Sequence, residues 1–132
     1  QSNKNGKDVY GECMTELKIK PSVCSEERIE CGIVLKLWID EYIVFFKGHF
    51  SNFQILPGVT QIDWAYHYGT TLLEAPLVFK GMEVIKFFKP ITPGMEVELT
   101  LKWRAEKQKL EFFFQSLKGK HSSGRILLAE DA

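Results

Sequence analysis

The side chains best suited to chemistry in this 132-residue chain are His49 and Asp63, and the aspartate follows the histidine by 14 residues. An imidazole titrates near neutrality, so His49 suits the removal and return of a proton. Asp63 lies between Ile62 and Trp64. We expect these apolar neighbours to leave its carboxyl poorly solvated and to favour the protonated form. The pair could therefore exchange protons with one substrate.

A predicted helix start lies between these two residues, at Pro57-Gly58. Proline and glycine suit the first positions of a helix, and the helix should run to about Leu73, before Ala75-Pro76 stops it. Free N–H groups of the first turn, that of Gly58 foremost, can bind a carbonyl oxygen with the helix dipole behind them. Asp63 would lie about 7.5 Å further along the helix axis. This spacing predicts a polar site at the start of one helix.

Alternating apolar residues predict a sheet around this helix. A strand with one buried face is expected from Arg28 to Asp40, and a hairpin from the alternation Met95 to Arg104 and the run Leu110 to Leu117. A turn is expected at Gly119 to Gly124 and a last strand at Ile126 to Ala129, with shorter strands at Glu16 to Lys20 and Val78 to Phe88. The helix is apolar on nearly all sides and should be buried. The fold class is therefore α+β, one antiparallel sheet wrapped around one long central helix.

Composition excludes several classes of function. The chain has 17 basic and 17 acidic residues and no net charge, so it lacks the positive field that would attract nucleic acids or anionic lipids. Its apolar runs are too short to span a membrane. Three cysteines without paired spacing predict neither a disulfide framework nor a zinc site and favour a reduced, cytoplasmic setting. We expect residues 1–10 to be a disordered terminus or cloning remnant, and residues 11–132 to form a single domain.

The segment from Gly48 to Asp63 resembles a known enzyme family. It reads GHFSNFQILPGVTQID and is similar to the GHFPxxPxxPG segment, followed by an acid on the helix, of the hotdog-fold 3-hydroxyacyl-[acyl carrier protein] dehydratases. The later segment KFFKPITPG is similar to the family's KFxxPVxPGD. The resemblance covers about residues 15 to 130, and the wording QIDWA is most similar to the dehydratase-like proteins of aryl polyene and specialised lipid clusters.

The resemblance implies a function and a set of site residues. The protein would dehydrate a (3R)-hydroxyacyl chain on an acyl carrier protein to the trans-2-enoyl thioester, in fatty acid or related lipid or polyene biosynthesis, without a metal or redox cofactor. It would act as a homodimer in which His49 and Asp63, the catalytic pair, meet from opposite subunits. Substrate would be bound by Phe50, Pro57, Gly58, Val59 and His67.

Departures from the family pattern keep other functions open. Ser51, Asn52 and Gln54 replace the usual Pro, Gly and Pro, and His67 replaces a glutamine. A hotdog thioesterase would use the same helix start with a carboxylate that directs water, and a non-catalytic module would bind acyl chains or their carrier without turnover. Three further predictions are structural: His67 supports Asp63 or the fold, His121 is solvated in a turn, and Phe112 to Phe114 belong to the core or an interface.

Overall fold

A computed structural model describes residues 20–41 and 55–130 of the chain. Within them, one helix and six strands follow in this order: β1 (Ser22–Ile29), β2 (Gly32–Trp38), α1 (Gly58–Leu72), β3 (Val78–Phe87), β4 (Glu96–Arg104), β5 (Lys109–Ser116) and β6 (Gly119–Ala129). All strand pairs are antiparallel, in the order β1-β2-β4-β5-β6-β3. The helix lies within the predicted bounds. The α+β sheet-and-helix architecture is confirmed.

The core lies between α1 and the inner face of the sheet. Alternate residues of β2, β4 and β5 are buried there, against one face of the helix that includes Trp64, Ala65 and Tyr68. Helix and sheet approach closely at Gly69, where an added Cβ would lie 2.3 Å from Cδ2 of Leu110. Phe112 and Phe114 belong to this core, as predicted, whereas Phe113 points to the outer face and is half-buried. The sheet thus supports only one side of the helix.

The single strand predicted from Arg28 to Asp40 is wrong, because β1 and β2 form a hairpin there. Glu30 and Cys31 make the turn, and Cys31 has a positive φ of 64°. Arg28 pairs with Ile33, so these two residues share a sheet face and Ile29 lies on the other. The odd-numbered apolar series therefore changes face at the turn, which the sequence alternation conceals.

The turn predicted at Gly119 to Gly124 is also wrong, because these residues form the first half of β6. Ser122 pairs with Phe114, and Gly124 pairs with Phe112. A Cβ at Gly124 would lie 2.4 Å from Cδ1 of Ile85. Small residues are needed here because large neighbouring side chains fill the space above them. Glycine and serine are also common in turns, which is why the sequence predicts a turn here.

The other strand predictions have mixed outcomes. The hairpin from Met95 to Leu117 is confirmed as β4 and β5, Val78 to Phe88 matches β3, and Ile126 to Ala129 is the end of β6. Of the segment Glu16 to Lys20, only Lys20 lies in the described part, and it is not in a strand. Residues 1–10 also lie outside the described ranges. In the part of the chain that the structure describes, no helix is long and apolar enough to cross a membrane.

Candidate functional site

The first turn of α1 leaves two backbone amides available. Pro57 is the N-cap and provides no side-chain hydrogen bond to the turn. The N–H groups of Thr60 and Gln61 donate to the Pro57 carbonyl at 3.1 and 3.2 Å. Within residues 20–41 and 55–130, no hydrogen-bond partner lies near the N–H groups of Gly58 and Val59. These two amides, at the positive end of the helix dipole, can bind an oxygen that carries negative charge.

The ring of Phe87 packs directly against Gly58 at this helix start. A Cβ at Gly58 would lie 2.5 Å from Cζ of Phe87, so the aromatic ring at the end of β3 covers the space where a side chain would be. Phe87 itself is 53% exposed. Phe87 was not predicted as part of the site, although it lies in the quoted KFFKPITPG segment, directly after Lys86.

An open apolar pocket of about 460 Å³ lies beside the helix start. It is lined by residues of α1 and β3: Val59, Ile62, Asp63, Tyr66, Phe79 and Met82. The Tyr66 hydroxyl donates a hydrogen bond of 2.6 Å to the Leu77 carbonyl and so ties the helix to the approach of β3. Two pocket residues on β3 were not predicted, since alternation alone does not show which strand faces the free side of a helix.

Asp63 is exposed in this single chain, which corrects the prediction of a poorly solvated carboxyl. Of its two sequence neighbours, Trp64 is buried beneath the helix, and Ile62 lines the open pocket beside Asp63 without covering it. Successive residues on a helix point in different directions, so apolar neighbours in sequence do not surround a side chain. Any desolvation of Asp63 must come from a group outside the described residues of this chain.

His67 lies one helical turn after Asp63 and is half-buried. No hydrogen bond joins the two side chains, although the negative charge of Asp63 acts on the imidazole. Burial lowers the pKa of His67, the positive charge of Lys20 lowers it further, and Asp63 partly opposes both effects. The ring also meets Tyr68 edge-on, with centroids 4.9 Å apart. His67 is therefore favoured in its neutral form.

The structure places five of the seven predicted site residues at one end or on one side of α1. Pro57 and Gly58 begin the helix, and Val59, Asp63 and His67 follow on its first three turns. His49 and Phe50 lie outside the described residues, so their positions stay predictions. Between residues 20 and 130, the described ranges contain no group of three or more His, Cys, Asp or Glu side chains that could hold a metal ion.

Comparison with known sequences shows one family over most of the chain. A family model described as ApeI-like, ApeI dehydratase, matches residues 24–125. A 3-hydroxyacyl-[acyl-carrier-protein] dehydratase FabZ of Koribacter versatilis is 38% identical over an alignment of 77 residues, and the match covers 50% of this chain and 49% of that protein. The FabZ of Erythrobacter litoralis is 41% identical over an alignment of 71 residues, and the match covers 44% of this chain and 47% of that protein. The chain thus spans about half the length of the curated relatives it matches.

Comparison with solved structures confirms the hotdog fold. The dehydratase heterocomplex ApeI:P from Xenorhabdus doucetiae matches with a TM-score of 0.78 and 34% identity, covering 85% of this chain and 100% of that one. An uncharacterised protein from Erwinia carotovora matches with a TM-score of 0.71 and 36% identity, covering 86% and 97%. The protein PH1136 of Pyrococcus horikoshii, at 13% identity and a TM-score of 0.61, covers 89% of each chain and shares the fold alone.

Proposed function

The chain belongs to the ApeI-like dehydratase family, and we propose on that premise that it removes water from a (3R)-hydroxyacyl chain on an acyl carrier protein. The product is the trans-2-enoyl thioester, for fatty acid or related lipid or polyene biosynthesis. One observation carries the proposal: Asp63 opens into an apolar pocket on the same helix whose first turn offers the free amides of Gly58 and Val59. The curated FabZ relatives support the same reaction class.

The reaction has three tasks, and each has a candidate group. His49 takes the proton next to the thioester carbonyl. The amides of Gly58 and Val59 hold the negative charge that develops on the carbonyl oxygen. Asp63, in its protonated form, gives its proton to the leaving hydroxyl, which departs as water. The net result is one proton moved from substrate to His49 and one from Asp63 to the hydroxyl, and a proton passed back from His49 to Asp63 restores the site.

We propose that two subunits share this site, and the surface of the chain supports such a dimer. Exposed apolar side chains gather on the outer side of α1 and on β3, with Val59 76% exposed and Phe79, Met82 and Val84 about half exposed. Among the described strands, β3 also lies at one edge of the sheet. In the proposed homodimer two β3 edges meet, the pocket closes, and His49 of the partner subunit approaches Asp63.

A carrier protein can be recognised by the basic end of the sheet next to the site. Lys89, Lys118 and Lys120 are exposed there. Lys89 Nζ donates to the Lys118 carbonyl at 2.7 Å, and Lys120 Nζ lies 5.8 Å from the centroid of the Phe88 ring. Phe87, the next residue, covers Gly58. These cations would attract a negatively charged carrier and guide its substrate arm to the helix start.

The proposed compartment is the cytoplasm. The two cysteines in the described ranges, Cys24 and Cys31, are both free and exposed, which suits a reducing environment.

The test is incubation of the purified protein with a panel of 3-hydroxyacyl carrier proteins and the matching coenzyme A thioesters. Intact-mass spectrometry should show the loss of one water with the thioester retained. Release of a free thiol would instead show a thioesterase. Binding without any mass change across the panel would contradict the dehydratase and support a non-catalytic acyl or carrier-binding module.

A further inference from the structure

Four polar residues of the described chain are buried: Thr60, Gln61, His121 and Ser122. Two of them, Gln61 in the first turn of α1 and Ser122 in β6, are hydrogen-bonded to each other. Gln61 is only 3% exposed, and Ser122 is fully buried in β6. A buried amide is expensive unless both its ends are hydrogen-bonded, so a glutamine at this position needs specific partners.

Gln61 has a partner at each end of its amide. Its Nε2 donates to the Leu56 carbonyl at 3.3 Å, and its Oε1 accepts from the Ser122 hydroxyl at 2.6 Å. The first bond reaches back over the helix start, and the second joins α1 to the sheet. The side chain therefore connects three parts of the fold: the segment before the helix, the helix, and β6.

The bond to Leu56 encloses the two free amides. Gly58 and Val59 lie between Leu56 and Gln61 in the chain, so the side-chain bond closes a short loop around them. Leu56 is held at its other side as well, because its N–H donates to the Ile91 carbonyl at 2.8 Å. Pro57 provides no side-chain cap, so this loop adds a side-chain hydrogen bond that joins the first turn to the segment before it.

The bond to Ser122 places that loop next to Phe87. Ser122 pairs across the ladder with Phe87, whose ring covers Gly58. Ser122 of β6 therefore holds both parts of the helix start: it bonds Gln61, next to the free amides, and it pairs with Phe87, whose ring lies above them. A shift of Gln61 would turn the amides relative to any group bound in the pocket.

We propose that Gln61, braced by Ser122, is a positioning residue that aims the Gly58 and Val59 amides at the substrate carbonyl oxygen. The inference rests on the proposed function for the identity of that oxygen, but the aiming itself is a property of the fold. A small misplacement of preorganised donors reduces the stabilisation of the transition state far more than it reduces the binding of the substrate. Gln61 would then act on kcat with little effect on KM.

The test compares Gln61→Met with Gln115→Met. Both changes remove an amide hydrogen bond and keep a side chain of similar length, but Gln115 bonds Glu98 on the outer sheet face. Gln61→Met should lower kcat by about 10- to 100-fold with KM within about twofold, and Gln115→Met should leave both unchanged. Ser122→Ala should also lower kcat. The double variant Gln61→Met/Ser122→Ala should have a kcat only slightly below that of Gln61→Met, because both changes remove the same hydrogen bond.

A second readout does not depend on turnover. In ¹⁵N-labelled protein, the amide resonances of Gly58 and Val59 should shift in Gln61→Met and stay in place in Gln115→Met, while thermal unfolding shows both variants folded at the assay temperature. Unmoved resonances, or a kcat within twofold of wild type in folded Gln61→Met, would overturn the positioning role. If wild type shows no dehydration but the resonances shift, only the proposed function fails.

Discussion

Among the described residues that line the pocket beside α1, Asp63 alone carries a carboxylate. Asp63→Asn keeps the shape of the side chain and removes its proton, so the leaving hydroxyl loses its acid. Turnover should fall by a factor on the order of 100 to 10,000. Because Asp63 is exposed in the single chain, the melting temperature of the subunit fold should hardly change. Steady-state dehydration assays and thermal unfolding measure the two effects.

The control for Asp63→Asn is Glu106→Gln, which removes one negative charge from an exposed turn far along the chain. It should retain wild-type turnover. Equal losses in both variants would show that net charge, and not the acid at the helix, decides activity.

His67 gives the protein a pH-dependent stability that a glutamine cannot give. Burial and Lys20 hold its pKa below the ordinary value of about 6.5. The unfolded chain therefore binds a proton more readily than the folded chain. The contribution is full above pH 6.5 and is lost as pH falls toward the lowered pKa. When the pH is lowered from 7 to below 6.5, the melting temperature of wild type should fall further than that of His67→Gln, as measured by scanning calorimetry. If the melting temperatures of the two proteins fall in parallel with pH, the lowered pKa of His67 is contradicted.

Single residues also show where sequence reasoning stops. The type and spacing of His49, Gly58 and Asp63 predict the chemistry, because catalytic groups need particular functional groups at particular separations. The surroundings of a side chain are set by residues distant in sequence. Asp63 is exposed despite apolar neighbours, and His121, predicted to be solvated, is 1% exposed and bonds Ser116 Oγ and the Lys89 carbonyl.

At the scale of elements, periodicity located the helix and most strands but not every turn. The helix is well marked because Pro57-Gly58 begins it and Ala75-Pro76 follows its end. The β1–β2 turn was missed because Glu30-Cys31 contains neither glycine nor proline, although Cys31 adopts a positive φ. The β6 error has the opposite cause, since Gly124 is small to accommodate Ile85 and Phe112 and does not make a turn.

The close approach of α1 to β5 predicts a cost for enlarging Gly69. Alanine favours a helix over glycine by about 1 kcal/mol. In Gly69→Ala, however, the new methyl group would overlap the fully buried Leu110, and overpacking costs about 1–3 kcal/mol. We expect a net loss of about 1 kcal/mol in the free energy of unfolding, measured by urea denaturation.

Two further variants test the cause. Gly69→Ala combined with Leu110→Val should recover part of the loss, because the shorter side chain makes room. Thr71→Ala, on the exposed side of the same helix, should be neutral within about 0.5 kcal/mol. A stabilised Gly69→Ala would show that helix propensity outweighs the contact.

At the scale of the whole molecule, the proposed shared site predicts complementation. Sizing with light scattering should give about twice the chain mass of 15.2 kDa. His49→Ala and Asp63→Asn should each be nearly inactive. When the two variants exchange subunits, each heterodimer has one site with both groups and one with neither. Activity should recover to about half that of wild type per dimer.

Native mass spectrometry must confirm that exchange occurred. Zero activity in confirmed heterodimers would reject the pairing of His49 and Asp63 across subunits, as would a chain that stays monomeric at micromolar concentration while turning over. A mixture of His49→Ala with wild type serves as the control for exchange itself.

The two edges of the described sheet are unlike, and this difference bears on whether assembly stops. Both edge strands have an irregular register. β1 offers the charged side chains of Glu26, Glu27 and Arg28 to solvent, whereas most of the large side chains that β3 exposes are apolar. A sheet with two adhesive edges can add copies without end and grow into a fibre. A chain with one adhesive edge stops assembling once that edge pairs with the same edge of a second copy, because only the charged β1 edges then remain exposed. The unequal edges would therefore keep the protein in finite assemblies, even at concentrations where a symmetric sheet would polymerise.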